Sequence, residues 1–165
     1  MIPLPTSTAV LTMARRFNAD EKAVFDAWTK PELMRQWLFT SEDTNQVVKN
    51  DLQAGGSWEI VDHREGVDYR AIGEYLELKA PHRLIFTFKM PQFSDSEDRV
   101  SVWISPVQDA CEMAFTQEIT VPHEEGWSEE DIKKAGEEFS GQSEEGWGLM
   151  FENLKHLVEM GNIER

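Results

Sequence analysis

The sequence lacks the features that a secreted or membrane-spanning protein would need. Cysteine occurs once, at Cys111, so a disulfide within the chain is excluded and an oxidising compartment would add nothing to its stability. No stretch approaches the roughly 18 consecutive apolar residues of a membrane-spanning helix. Residues 1–6 do not combine a basic segment with an apolar run, so we expect no signal peptide. These absences predict a cytoplasmic protein.

Basic residues are also few. The chain has 16 Lys and Arg against 31 Asp and Glu, for a formal net charge of −15. A nucleic-acid backbone or an anionic membrane is bound through a basic face, so we expect neither as a partner. Nine acidic residues and only two lysines lie between residues 122 and 145. Almost half of the net charge therefore belongs to one segment.

Hydrophobic residues make up 40% of the 165-residue chain, which is enough for one globular domain over residues 1–165. Residues 8–17 alternate as a strand does. Asn18, with Glu21 three residues later, predicts the start of a helix, and Pro31 ends that helix and can begin a second. From residue 45 onward the period is two. The predicted strands there are Val47–Asp51, Ser57–Arg64, Tyr69–Leu78, Arg83–Met90, Val100–Ser105 and Cys111–Val121.

The end of the chain has helical patterns. From Ser143 to about Met160 the apolar residues share one helical face, and Gly161 is a suitable C-terminal stop. Glu144 and Glu145 would lie near the positive N-terminal end of that helix. Residues 128–139 predict a separate short, exposed helix. Because short connections favour antiparallel strands, we expect an α+β fold: a curved seven-stranded antiparallel sheet around a long C-terminal helix, with two short helices after the first strand.

Several runs resemble those of a known family, in the same order. They are Phe25-x-x-Trp28-Thr29-Lys30-Pro31-Glu32-Leu33-x-x-x-Trp37, Gly55-Gly56-Ser57-Trp58, Gly73-Glu74-Tyr75-Leu76-Glu77-Leu78-x-x-Pro81-x-x-Leu84-Ile85-Phe86-Thr87-Phe88 and the closing Gly146-Trp147-x-x-x-x-x-x-Leu154 helix. Over roughly residues 8–160 the chain is similar to the activator-of-heat-shock-protein-90-ATPase homologues of the START-like (SRPBCC) superfamily. The resemblance implies the helix-grip, or Bet v-like, fold. It implies no catalytic residue, and the acidic stretch at about 122–142 departs from the family pattern as an insertion.

Motifs for catalysis or metal binding are missing. The sequence has no His-Glu-x-x-His, no Cys-x-x-Cys, no phosphate loop and no Gly-x-Ser-x-Gly. We therefore expect no metal, no cofactor and no catalytic residue. His156 has Glu152 and Glu159 on the same helical face, but a salt-linked surface is the simpler interpretation. Nothing in the sequence activates Cys111, which we expect to be an inert thiol.

Aromatic residues on the predicted strands and the last helix are the best candidates for a binding site. A sheet curved around a helix commonly leaves a cavity, and small molecules usually bind in apolar cavities with a few polar groups. Core packing is the alternative for each residue. Gln117 shares the inward face of its strand, where a bond to the backbone or to Asp62 is the alternative to a ligand. The predicted ligand-binding residues are Trp37, Trp58, Phe86, Phe115, Gln117, Trp147 and Phe151.

Three functions follow from these patterns. The leading hypothesis is a START-like domain that binds a small hydrophobic or aromatic molecule between sheet and helix. The second is a cyclase or dehydratase that uses Asp62 or His63 as a general base in the same cavity. The third is a protein-interaction domain, acting as a chaperone co-factor or through the acidic segment 122–142 and a basic partner. A homodimer formed through that segment is a further alternative.

Overall fold

The computed structural model describes residues 6–161 of the chain. Its seven strands form a single antiparallel sheet in the order β1-β7-β6-β5-β4-β3-β2, and α3 lies on the concave face. This is the predicted order of elements and the predicted helix-grip architecture. The elements are β1 (Thr6–Phe17), α1 (Glu21–Thr29), α2 (Pro31–Met34), β2 (Asn45–Asn50), β3 (Ser57–Arg64), β4 (Val67–Lys79), β5 (Arg83–Phe88), β6 (Asp98–Val107), β7 (Ala110–Pro122) and α3 (Glu129–Met160).

The sheet is an antiparallel meander of β2 to β7, and β1 adds to it as the edge strand beside β7. Strands β2 to β7 follow one another as antiparallel neighbours, and β1 pairs with β7 from Thr6 opposite Pro122 to Phe17 opposite Cys111. The strand bounds lie within a few residues of the predicted ones, because alternation of buried and exposed side chains marks a strand with one covered face. No helix within residues 6–161 is long and apolar enough to cross a membrane.

The first helix begins later than the sequence predicts. Its N-cap is Asp20, whose carboxylate accepts a hydrogen bond from the Ala23 amide at 2.8 Å. The expectation of an Asn18 cap is wrong, because β1 continues to Phe17 and the chain needs two residues to turn. The Asn18 amide instead donates to the Glu159 carboxylate at 2.9 Å, which joins the end of β1 to α3. Pro31 begins α2 at its first position, as predicted.

The C-terminal helix is one element of 32 residues. The expected separate helix over 128–139 is its first half, and Glu144 and Glu145 lie in its middle and not at its start. Ser128 caps it in a capping box with Asp131, and the hydrogen bonds from Ser128 lower the pKa of the Asp131 carboxyl. Because this half packs on β1, where Gly136 lies against Ala9, the helix continues through a glycine-rich sequence that suggested a break. Gly161 ends it in the left-handed conformation, as predicted.

Gly141→Ala is expected to raise the free energy of unfolding by about 0.5–1 kcal/mol, since glycine weakens a helix interior by that amount. An added methyl group at Gly141 would meet nothing within 4 Å. Urea unfolding followed by circular dichroism measures the change. The control is Gly161→Ala, which places a side chain at φ +80° and should lower stability. A loss of stability in Gly141→Ala would contradict a continuous α3.

Candidate functional site

The seven predicted ligand-binding residues lie together, buried between the concave face of the sheet and α3. The ring centroids of Phe115 and Trp147 are 4.7 Å apart, and Phe151 lies 5.2 Å from Phe115 and 5.6 Å from Trp147. Trp28 of α1, which the sequence analysis left out of the set, packs 4.7 Å from Trp37 and 5.9 Å from Trp147. The predicted residues are therefore packed against one another in this structure. Their role in ligand binding stays a prediction.

A chain of hydrogen bonds runs outward from this aromatic cluster. The Trp147 indole N–H donates to Gln117 Oε1 at 3.0 Å, and Gln117 Nε2 donates to Asp98 Oδ2 at 2.9 Å. Because an indole nitrogen can only donate, the orientation of the Gln117 amide is determined. Gln117 is inward-facing, as predicted, but its partner is neither Asp62 nor the backbone. The other Asp98 oxygen accepts from the Thr120 amide at 2.9 Å.

Asp98 begins β6 and lies opposite the end of β7. Burial raises the pKa of its carboxyl, and the hydrogen bonds from Thr120 and Gln117 oppose that rise. Asp98 was not among the predicted site residues, because it stands in a polar run before the predicted strand Val100–Ser105. Only the pairing of Val100 with Gln117 brings its carboxylate to the glutamine.

Asp62 anchors the segment between α2 and β2. Its carboxylate is buried and accepts hydrogen bonds from the Thr40 hydroxyl at 2.8 Å and from the Thr44 hydroxyl. The Arg64 Nε lies 2.6 Å from the other oxygen. His63 points the opposite way, is exposed, and contacts Asp68 at 2.6 Å. The second of the three hypotheses requires Asp62 or His63 to face the cavity. Asp62 lines a cleft but is already engaged by Thr40, Thr44 and Arg64, and His63 faces away from it, so a general base here stays a prediction.

The segment that Asp62 anchors carries Phe39, which the sequence analysis also missed. Phe39 has a φ of 58°, in the left-handed region that a bulky residue rarely adopts. Its ring lies parallel to that of Phe88 at 4.8 Å and edge-on to that of Trp147 at 5.2 Å. Its amide faces the Met150 sulfur at 3.2 Å. An irregular segment thus inserts an aromatic ring between the sheet and α3.

Three of the described clefts open beside α3, and two of them have no lining residue from β1. One, of about 400 Å³, adjoins Phe39 and is lined by Trp37, Phe39, Thr40, Ser41, Thr44, Asp62, Arg64, Tyr69, Met90, Gly146, Leu149, Met150 and Asn153. The other, of about 380 Å³, lies toward the N-terminal half of α3, and Asp98 belongs to its lining. Met90 lines both clefts, so they are neighbours. Phe86, Phe115, Trp147 and Phe151 line neither cleft.

The remaining candidates for chemistry are structural. Cys111 is buried, and this burial, with the charges of Glu21 and Asp20, raises the pKa of its thiol to about 11, so it is not an activated nucleophile. Within residues 6–161 no group of three or more His, Cys, Asp and Glu side chains could hold a metal ion. Glu159 accepts from the Asn18 amide and pairs with Lys155 at 3.8 Å.

A seven-stranded antiparallel sheet that grips a long C-terminal helix, with two short helices after its first strand, defines a START-like domain with the helix-grip fold. The family model described as "Activator of Hsp90 ATPase homolog 1-like protein" matches residues 18–159. The chain belongs to that family, and the resemblance read from its sequence is confirmed.

Solved structures with the same fold cover nearly the whole chain. A Staphylococcus aureus protein of unknown function has 25% sequence identity and a TM-score of 0.87, over 94% of this chain and 96% of its own. An uncharacterized protein from Rhizobium leguminosarum has 20% identity and a TM-score of 0.74, over 93% and 96%. One from Nitrosomonas europaea has 18% identity and a TM-score of 0.73, over 93% and 96%. No curated protein matches the chain. The neighbours therefore support the fold and name no ligand.

Proposed function

We propose that this protein binds a small, planar hydrophobic molecule between α3 and the sheet, at the position that the Phe39 ring occupies. The observation that carries the proposal is the left-handed backbone of Phe39 together with the insertion of its ring among Trp58, Phe88 and Trp147. In the ligand-free protein the Phe39 side chain fills this site. The ligand displaces the Phe39 ring when it binds.

The backbone of Phe39 supports a removable ring. A left-handed conformation in a bulky residue costs on the order of 1–3 kcal/mol and persists only where the surroundings hold it. Here the holding contacts are the Thr40 and Thr44 hydroxyls on Asp62 and the aromatic faces around the ring. Release of Phe39 would relieve that cost, so a ligand with equivalent ring contacts can compete with it.

The surroundings of the ring match an aromatic ligand. A planar molecule in place of Phe39 would lie parallel to Phe88 and Trp58 and edge-on to Trp147, the preferred arrangements of aromatic pairs. Trp58 and Trp147 belong to the predicted set, and Phe86 and Phe115 lie behind them, 5.6 Å from Trp58 and 4.7 Å from Trp147. These aromatic contacts provide affinity without selecting a particular polar group.

The adjoining cleft supplies the polar end of the site. Thr40, Thr44 and Asp62 line it, and the Arg64 guanidinium lies 4.5 Å from the Tyr69 ring centre at its rim. A ligand substituent that extends from the ring position into this cleft would meet the Thr40 and Thr44 hydroxyl oxygens as acceptors, because their protons are donated to Asp62, and the Arg64 guanidinium as a donor. This combination of an apolar interior with few polar groups is usual for small-molecule sites.

Phe39→Ala is expected to bind N-phenyl-1-naphthylamine, a neutral fluorescent aromatic probe, about tenfold more tightly than the unaltered protein, since the probe no longer has to displace a ring. The measurement is a titration of probe fluorescence with excitation of the tryptophans. Trp103→Ala removes an aromatic ring from the outer face of β6, where Trp103 is 47% exposed, and should leave the affinity unchanged.

Binding by the unaltered protein is the decisive half of the experiment. A probe that binds only Phe39→Ala would fill an artificial cavity, and Phe39 would then be an ordinary core residue. In that case, or if Trp103→Ala tightens binding equally, the proposal is wrong. If 4-fluorophenylalanine is incorporated, the Phe39 resonance should move on binding in the unaltered protein and be missing from Phe39→Ala.

A further inference from the structure

The second cleft beside α3 has an apolar wall and a carboxylate at its floor. Its wall includes Phe88, Met90, Phe93 and Phe139, and its floor is formed by Asp98 with Ile119. Phe93 is 67% exposed and Phe139 36% exposed, so two large apolar rings of the cleft are accessible from solvent. The cleft is thus open, aromatic and acidic at one point.

We infer that this cleft is a binding site for a small organic cation, an ammonium group carried on an aromatic or aliphatic body, with Asp98 as its counter-ion. The inference does not rest on the proposed function, because it concerns the Asp98 carboxylate and a ligand of different charge, although Phe88 and Met90 border both sites.

The Asp98 carboxylate is half-buried and has no ion pair within residues 6–161. Its two bonds, from the Thr120 amide and the Gln117 amide, come from neutral donors. The neighbouring Arg99 pairs with Glu118, at 3.8 Å. A carboxylate accepts about four hydrogen bonds, so Asp98 keeps capacity for a ligand. The raised pKa of Asp98 reflects the same desolvation, which a bound cation would offset.

The other charges around the cleft favour a cation. Lys89 is among the lining residues, but it also lines a cleft with Glu59 and Arg70, and alternation with the inward Phe88 directs its side chain to that outer face. The lining residues on α3 are Phe139, Gln142 and Ser143, which are neutral. The acidic first half of α3 continues on both sides of them and makes the local field negative.

The walls suit the body of such a ligand. Aromatic faces attract an ammonium group as well as the apolar part that carries it. The hydrogen bond from Gln117 fixes the orientation of the Asp98 carboxylate, because Gln117 is itself fixed by its hydrogen bond with the Trp147 indole. The Trp147 N–H therefore reports on ligand binding at Asp98, because two hydrogen bonds connect the Asp98 carboxylate to this indole group.

The test uses three aromatic probes of similar size and different charge: benzylammonium, benzyl alcohol and benzoate. Each is titrated into the full chain at pH 7 while the Trp147 indole N–H is followed by two-dimensional nuclear magnetic resonance. Benzylammonium should bind about tenfold more tightly than benzyl alcohol, as a charge-assisted hydrogen bond implies, and benzoate should bind least. The Trp147 resonance should be assigned from its absence in Trp147→Phe.

Asp98→Asn should remove the preference for benzylammonium over benzyl alcohol. Glu97→Gln is the matched control, since it removes the same charge one residue earlier and should keep the preference. Equal affinities for benzylammonium and benzyl alcohol in the unaltered protein would overturn the inference, whether or not Asp98→Asn folds. So would a preference that survives in Asp98→Asn. The two proposals fail separately, because only the Asp98 inference predicts a dependence on the charge of the ligand and on the Asp98 carboxylate.

Discussion

Trp147→Ala is expected to lower the free energy of unfolding by about 3–5 kcal/mol, the usual loss when a fully packed tryptophan is truncated. Trp147 is 3% exposed and lies among Trp28, Phe39, Phe115 and Phe151. Truncation also leaves Gln117 Oε1 without its donor in a buried place. Guanidinium unfolding followed by circular dichroism measures the loss.

Two variants separate the contributions to that loss. Trp147→Phe keeps an aromatic ring and removes the N–H, so it should lose about 1–3 kcal/mol, the cost of an unpaired buried acceptor. Trp103→Ala truncates a tryptophan that lies on the outer face of the sheet, beneath the Arg83 guanidinium at 4.2 Å, and should lose much less. An equal loss at Trp103 and Trp147 would show that the aromatic cluster is not the centre of the core.

Gly73→Ala should destabilise the protein by about 3 kcal/mol or more, at the upper end of what overpacking causes. A methyl group on Gly73 would overlap the Thr87 carbonyl oxygen of the neighbouring strand and lie 2.6 Å from the Trp58 indole nitrogen. Because the methyl group would clash with a backbone atom, rotation of a side chain cannot relieve the overlap. The Thr87 carbonyl accepts from Trp58 at 3.2 Å, and the strands can approach in this way only at a residue without a side chain.

Gly141→Ala makes the same chemical change at an open position and provides the comparison for Gly73→Ala. The two variants should move the unfolding midpoint in opposite directions in one urea titration. If Gly73→Ala were neutral, strands β4 and β5 would have to be more widely spaced at Thr87 than in this structure.

The sequence alone predicted the sheet and its gripped helix, because strand alternation is a local signal that one covered face imposes. It also placed Gln117 and the aromatic residues on inward faces, since those follow from the same period. It did not predict a continuous α3. The glycines at 136 and 141 weaken the local helical signal before Ser143, and packing on β1 supplies what the local sequence lacks.

Asn18 illustrates the limits of a local signal in a different way. Asn18 and Asp20 are both good caps, and the choice between them depends on where β1 stops pairing with β7.

The acidic segment 122–142 is another case. From Glu129 onward it forms the first half of α3, while a basic partner or a homodimer for it stays a prediction.

The fold class, the inward faces of the strands and the acidity of one segment were determined by the sequence itself, because each depends on residues close together in the chain. The contacts on which the two proposed sites depend were decided by the tertiary structure. Phe39 meets Trp147 across 108 positions, and Gln117 meets Asp98 only when β6 and β7 pair in one register. No local sequence pattern predicts such contacts, since the free energy that stabilises them comes from packing between elements that are distant in the chain.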